Sequence, residues 1–189
     1  MKHTLISAAL ALGLSTAAHA APDNYSIDPS HTYSHWSLSH LGFSMQQGRF
    51  NKTSGKITLD MAAKSGSADI SIDAASIDSG WPKRDEHLRG EDFFNATQFP
   101  SLTFKSSKFQ FKGDKLVAVD GQLTMLGVSK PVKLNVSHFH CGNHPMANKP
   151  WCGAAASASI KRSDFGMSKY LPGVGDEVQI TIQVEASKD

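Results

Sequence analysis

Apolar and polar side chains alternate along most of this chain. Ile57, Leu59 and Met61 alternate with Thr58 and Asp60, and Ala68, Ile70 and Ile72 with Asp69, Ser71 and Asp73. Val132, Leu134 and Val136 alternate with Lys133, Asn135 and Ser137, and Val178, Ile180, Ile182 and Val184 with Glu177, Gln179, Thr181 and Gln183. A period of two is the signature of a strand with one buried face. Val117, Val119, Leu123 and Met125 share one side of a further segment, with Gly121 between them. Residues 32–41, 102–111 and 153–161 carry weaker versions of the pattern.

Turn chemistry punctuates these segments at Lys64-Ser65-Gly66, Lys112-Gly113-Asp114, Leu126-Gly127 and Pro172-Gly173. Most connections are short, so sequence neighbours should pair antiparallel. Roughly eight to ten strands with no long helix predict an all-β fold, either a packed sandwich or a closed barrel. Residues 81–90 break the pattern. Pro82 lies just inside and Gly90 just past a segment of helical character, which predicts a helix of about two turns. Trp81 and Leu88 would share one face of it, and so short a helix must pack on the β body, covering one end.

Residues 1–20 have the form of a secretory leader: Lys2, an apolar run from Leu5 to Leu14, and the cleavage triplet Ala18-His19-Ala20. The run is far shorter than the ~20 residues of a membrane span. The expected product is residues 21–189, one domain exported to the periplasm without stable membrane insertion. Net charge falls from +2 to +1 when Lys2 leaves, so there is no basic surplus for nucleic acid.

Export places Cys141 and Cys152 where a pair is expected to close. The bridge would staple an irregular connection, since GNHPMANKPW contains two prolines and a glycine. Two free thiols holding a metal are the alternative. His138, His140 and His144 lie close by and could be drawn into such a site, although their spacing matches no tight ligand motif. His31, His35 and His40 suit hydrogen bonding better than ligation.

No G-x-S-x-G elbow, HExxH, phosphate-cradling glycine loop or CxxC pair occurs. Asp85, Glu86 and His87 are adjacent on the short helix and fan outward instead of converging. No catalytic residue, resident metal or required cofactor is therefore expected.

Alternation cannot distinguish a packed interior from a hollow one, but residue size bears on it. Ala154, Ala156 and Ala158 occupy one face of residues 153–161, and Ala155, Ser157 and Ser159 the other. Several large aromatics fall in or near connections instead: Trp81, Phe93, Phe94, Trp151, Phe165 and Tyr170. Small wall residues with bulk near a rim suit a long apolar ligand. A core filled by Met125, Phe104 and Phe109 is the other option.

Four stretches carry a resemblance to a known family: YSIDPSHTYSHWSLSHLGFS near the start, RDEHLRGEDFF followed by FPSLTF, GQLTMLGVSKPVKL, and IKRSDFGM with the closing VQITIQVEA. Together they resemble the YceI-like family of bacterial periplasmic polyisoprenoid-binding proteins, over about residues 25–186. The resemblance implies an extended, lipocalin-like antiparallel β-barrel of about eight strands with one or two short helices. It implies a bound isoprenoid or quinone-type lipid, and it is compatible with a homodimer. Apolar residues in or beside the matching motifs are the candidate pore lining: Leu38, Phe43, Met45, Leu88, Phe93, Phe94, Phe104, Leu123, Met125, Phe165 and Met167. Arg84, Asp85 and His87 are candidates for the lipid head group. The CGNHPMANKPWCG insert resembles only part of the family and would alter the rim.

Overall fold

The computed structural model describes residues 21–189, and the leader read in residues 1–20 lies outside the described residues. The strands are β1 (Asp23–Ile27), β2 (Tyr33–His40), β3 (Ser44–Phe50), β4 (Thr53–Asp60), β5 (Ser65–Asp73), β6 (Ile77–Asp78), β7 (Ser101–Lys112), β8 (Lys115–Met125), β9 (Val128–Asn143), β10 (Pro150–Lys161) and β11 (Glu177–Lys188). One helix, α1 (Pro82–Arg89), lies between β6 and β7.

Three pairs of these strands run on from one another. β1 and β2 both pair with β11, β3 and β4 pair with β2 and β1 respectively, and β5 and β6 with β4 and β3. The result is eight antiparallel staves, closed where β11 meets β1. Closure decides between the sandwich and the barrel, and it removes the exposed sheet edges that an open sheet must protect.

The break between β1 and β2 is mended by a side chain. The buried Thr32 hydroxyl donates to the Glu185 carbonyl at 3.2 Å and accepts from the Glu185 N–H at 3.1 Å. It takes the place of a backbone partner in the ladder. Val117 does not share a face with Val119. β7 pairs Gln110 with Ala118 but Phe111 with Leu116, so Val117 is the extra residue of a bulge and points out to solvent.

The disulfide joins residues that face each other directly, Cys141 on β9 and Cys152 on β10. The ladder continues past it through Trp151–Gly142 and Pro150–Asn143, so only residues 144–149 are irregular, contrary to the expected structureless loop. Prolines are tolerated at the strand's first residue, where no ladder N–H is required. The helix forms as read, but Trp81 is its N-cap and is 56% exposed, so it does not share a buried face with Leu88.

Connections sort the barrel into two ends. α1, the β2–β3 turn and the segment between β10 and β11 gather at one end: Leu41 N–H donates to the Gly173 carbonyl at 2.7 Å, and Tyr170 Oη donates to Asp92 at 2.8 Å. The other end holds the β4–β5 and β7–β8 turns, joined by Lys64–Asp114, together with the disulfide hairpin and the start of β1.

Three inward glycines shape the interior. Trp36 lies over Gly48, Phe109 over Gly66 and Phe104 over Gly121, each ring filling the place of the missing side chain. A Cβ on Gly121 would sit 2.4 Å from Phe104 and 2.7 Å from the Lys105 carbonyl oxygen. Because the second contact is with backbone, Gly121→Ala is expected to cost about 1–3 kcal/mol in chemical denaturation. An unchanged unfolding midpoint would contradict this packing.

Candidate functional site

The barrel encloses a cavity of about 500 Å³ that runs most of its length. On β11 alone, Val178, Ile180, Ile182, Val184 and Ala186 line it. At a rise of about 3.4 Å per residue they span roughly 27 Å of strand. Eight-stranded barrels are just wide enough to be filled by side chains or to hold one small ligand. Here the lumen persists because Ala154 and Ala156 line β10 and because the large rings lie along the wall over glycines.

The two ends differ. Tyr25, Leu59, Cys152 and Ala186 seal the disulfide end and are all buried. The exposed lining residues, as distinct from the half-buried ones, are His40, His87 and Tyr170, all at the helix end, which places the mouth there. The disulfide hairpin is therefore remote from the mouth and does not form its rim.

Of the candidate lining residues, Leu38, Leu88, Phe93, Phe94, Phe104, Leu123, Met125 and Met167 do face the cavity. Phe43 and Met45 do not: they are 90% and 60% exposed, Phe43 on the β2–β3 turn and Met45 on the outward parity of β3. Phe165 is fully buried in the core beside the cavity and does not line it. Ala158 is likewise core, two residues beyond the Ala156 that faces the lumen. Trp36 and Phe139 line the wall and escaped the sequence reading. The alternation Ser34-Trp36-Leu38 and the flanking of Phe139 by His138 and His140 were the signals for them.

At the mouth, Arg84 donates from Nε to Ser79 Oγ at 2.8 Å, from Nη2 to the Ser79 carbonyl at 2.6 Å, and from Nη1 to Gln46 Oε1. No carboxylate among the described residues pairs with it, and it lines the cavity together with His87. Asp85 is turned away: its carboxylate accepts from Ser79 N–H at 2.8 Å and from Ser79 Oγ, closing the turn before α1. It supports Arg84 through Ser79 and is not a cavity residue.

Arg162, unrecognised in the sequence, organises the mouth's other side. Only 1% exposed, it donates to the carbonyls of Gly175, Met167, Lys169 and Val174 at 2.7–2.9 Å. Burial pushes its pKa down and nearby Asp176 opposes this. The planar fork of five N–H donors reaches all four carbonyls, a geometry that a lysine cannot match. Nothing in the local sequence distinguishes Arg162 from an ordinary surface arginine.

A second clasp crosses the rim. The Tyr170 phenol donates to Asp92, with His87 Nε2 at 3.5 Å and Lys169 Nζ at 3.7 Å from the same carboxylate. Tyr170 also stacks on Phe93, centroids 5.9 Å apart. The Tyr170 hydrogen bond holds the Asp92 carboxyl below its ordinary range, and the same bond pushes the phenol up.

The histidines near the disulfide are not drawn together into a set of three metal ligands. His138 and His140 lie exposed on β9, while His144 Nδ1 accepts from Met146 and Ala147 N–H in its own turn and its ring faces Trp151. Among the described residues the three-ligand cluster is instead Asp28, His31 and Glu185. Its members are engaged, Asp28 with His31 at 2.6 Å and Glu185 with Trp151 Nε1 at 2.9 Å.

A YceI-like domain matches residues 25–186. A UPF0312 protein of Pseudomonas paraeruginosa is 36% identical over 190 residues, spanning 98% of this chain and 97% of its own. Protein YceI of Salmonella arizonae is 35% identical with the same coverage. Among solved structures, BcnA of Burkholderia cenocepacia is similar with a TM-score of 0.70 at 28% identity, covering 84% of this chain and 98% of its own. A polyisoprenoid binding domain from Saccharophagus degradans shares the fold, with a TM-score of 0.65 at 18% identity, covering 87% of this chain and 98% of its own.

Two outcomes follow from the mouth geometry. Arg162→Leu leaves four carbonyls without donors and is expected to cost about 3–5 kcal/mol in urea denaturation. A loss below about 1 kcal/mol would mean that water replaces the guanidinium. Because the folded pKa of Asp92 is depressed, its bond to Tyr170 contributes above the carboxyl's ordinary value near 3.8 and is lost as pH falls through the folded value. In Tyr170→Phe, carboxyl NMR should show Asp92 titrating closer to that ordinary value. An unchanged titration would mean that the phenol does not set it.

Proposed function

The chain belongs to the YceI-like family, and on that premise we propose that it is an exported binding protein that holds one isoprenoid-type lipid in its barrel, for transport, storage or sequestration. The observation that carries the proposal is the one-ended apolar cavity of about 500 Å³ along the barrel axis. That volume lies within the range of ligand sites, roughly 300–1,000 Å³. A flexible apolar chain matches its shape, and the polyisoprenoid-binding neighbour supports the same ligand class.

The energetics require no special polar contact in the lumen. Each buried methylene contributes about 0.8 kcal/mol, so ten supply about 8 kcal/mol before the cost of association. Orientation comes from the mouth. The chain enters tail first, towards Tyr25 and Cys152, and the head group, of ubiquinone type or a precursor, meets Arg84 and His87. The site binds the lipid and does no chemistry on it. The A-x-A leader and the closed disulfide both favour the periplasm as the place of action.

The test is a binding titration with isoprenoid alcohols of increasing length. Affinity should rise with each isoprene unit until the lumen is full and then level off. Ala156→Phe should shorten the length at which it levels, and Arg84→Ala should weaken a quinone more than an alcohol of equal length. Affinity independent of chain length, or unaltered by Ala156→Phe, would contradict the proposal.

A further inference from the structure

The large apolar side chains left in solvent are not scattered. Seven are exposed among the described residues, and five of them belong to the mouth end: Leu41, Phe43, Met45, Trp81 and Tyr170. The other two, Val117 and Met146, lie on the β8 bulge and at the tip of the disulfide hairpin. Leu41 and Phe43 flank Gly42 in the β2–β3 turn, and Phe43 is 90% exposed. The turn is tied down, with Leu41 N–H on the Gly173 carbonyl at 2.7 Å and Phe43 N–H on the His40 carbonyl at 3.0 Å. Trp81 opens α1, which Arg84 ties to Gln46 on β3.

A phenylalanine this exposed adds nothing to the barrel's own core. It is held out in water beside the one end where the cavity lining meets solvent.

We infer that this rim is a membrane-docking surface: Phe43, Leu41 and Trp81 seat the mouth on a phospholipid bilayer, and the lipid passes between bilayer and barrel there. The inference rests on the lipid-binding reading above. Its physical basis is continuity. An isoprenoid chain leaving the acyl phase would cross an apolar rim directly into an apolar lumen without exposing itself to water. The rim's make-up agrees. Tryptophan and tyrosine favour the membrane–water boundary, and the exposed Lys83 and Lys169 beside them can lay their stems on the bilayer with their charges in water. A second copy of the chain seated on this rim would instead cover the mouth and obstruct ligand entry.

The test compares two donors of one fluorescent polyprenol: phosphatidylcholine vesicles, and a soluble cyclodextrin complex. The full-length exported protein is used unaltered, as Phe43→Ser, and as Met146→Ser. Phe43→Ser should take up polyprenol from vesicles about tenfold more slowly, the loss expected for one buried aromatic side chain. It should load from cyclodextrin at the unaltered rate, and Met146→Ser should match the unaltered protein with both donors. Equal slowing with both donors, or undiminished uptake from vesicles, would overturn the inference. So would dissociation of a dimer on sedimentation of Phe43→Ser with vesicle uptake unchanged, which would assign the rim to a second copy. Failure of the unaltered protein to load from either donor would overturn the lipid-binding reading itself.

Discussion

Eight antiparallel staves enclose very little room, and everything else in this molecule depends on how that room is kept. In a barrel of this size ordinary core side chains meet at the axis and fill it. This chain avoids that outcome by pairing its largest inward rings with glycines on neighbouring strands. Trp36, Phe109 and Phe104 lie over Gly48, Gly66 and Gly121, so their bulk thickens the wall and leaves the axis open. Ala154 and Ala156 do the same for β10 by being small. The lumen is thus written into the wall as pairs of residues, one with a large ring and one with no side chain.

The second constraint is polarity along the axis. One end is closed by a buried cluster around Tyr25 and Cys152, where the disulfide also holds β9 to β10. The other end is built from irregular chain, which must satisfy its own backbone. Arg162 does this for residues 167–175 by giving its donors to four carbonyls, so a loop with no ladder of its own forms a defined rim. Across the mouth, Ser79 and Gln46 hold Arg84, and Asp92 holds Tyr170. The charged side chains of the lining, Arg84 and Arg162, belong to this rim, and the lumen behind it is mostly apolar, interrupted by small polar residues such as Thr32, Ser34 and Thr53, a division that suits a single-chain amphiphile.

Most of the fold was legible because strands announce themselves by period two and turns by glycine and proline. The barrel closure was legible only through the family resemblance, since β11 meets β1 across nearly the whole chain and no local pattern marks that pairing. Eight lining residues followed from motifs next to alternating segments. Phe43 and Met45 misled because hydrophobicity alone carries no direction: one sits in a turn and the other on the outward parity of its strand. Arg162 and the ring-over-glycine pairs were invisible for a related reason. Each depends on partners outside its own period-two segment, for Arg162 the carbonyls of the irregular stretch that follows it and for each glycine a ring on a neighbouring strand, and a lone arginine or glycine reads the same whether its surroundings are water or protein.

The central claim is that the lumen holds one long apolar molecule. It is tested most directly by native mass spectrometry of the purified protein, followed by organic extraction of the same sample. The account predicts a single bound species at one per barrel, released by solvent and identified as an isoprenoid. A protein at its bare polypeptide mass, still bare after incubation with membrane lipids, would contradict it.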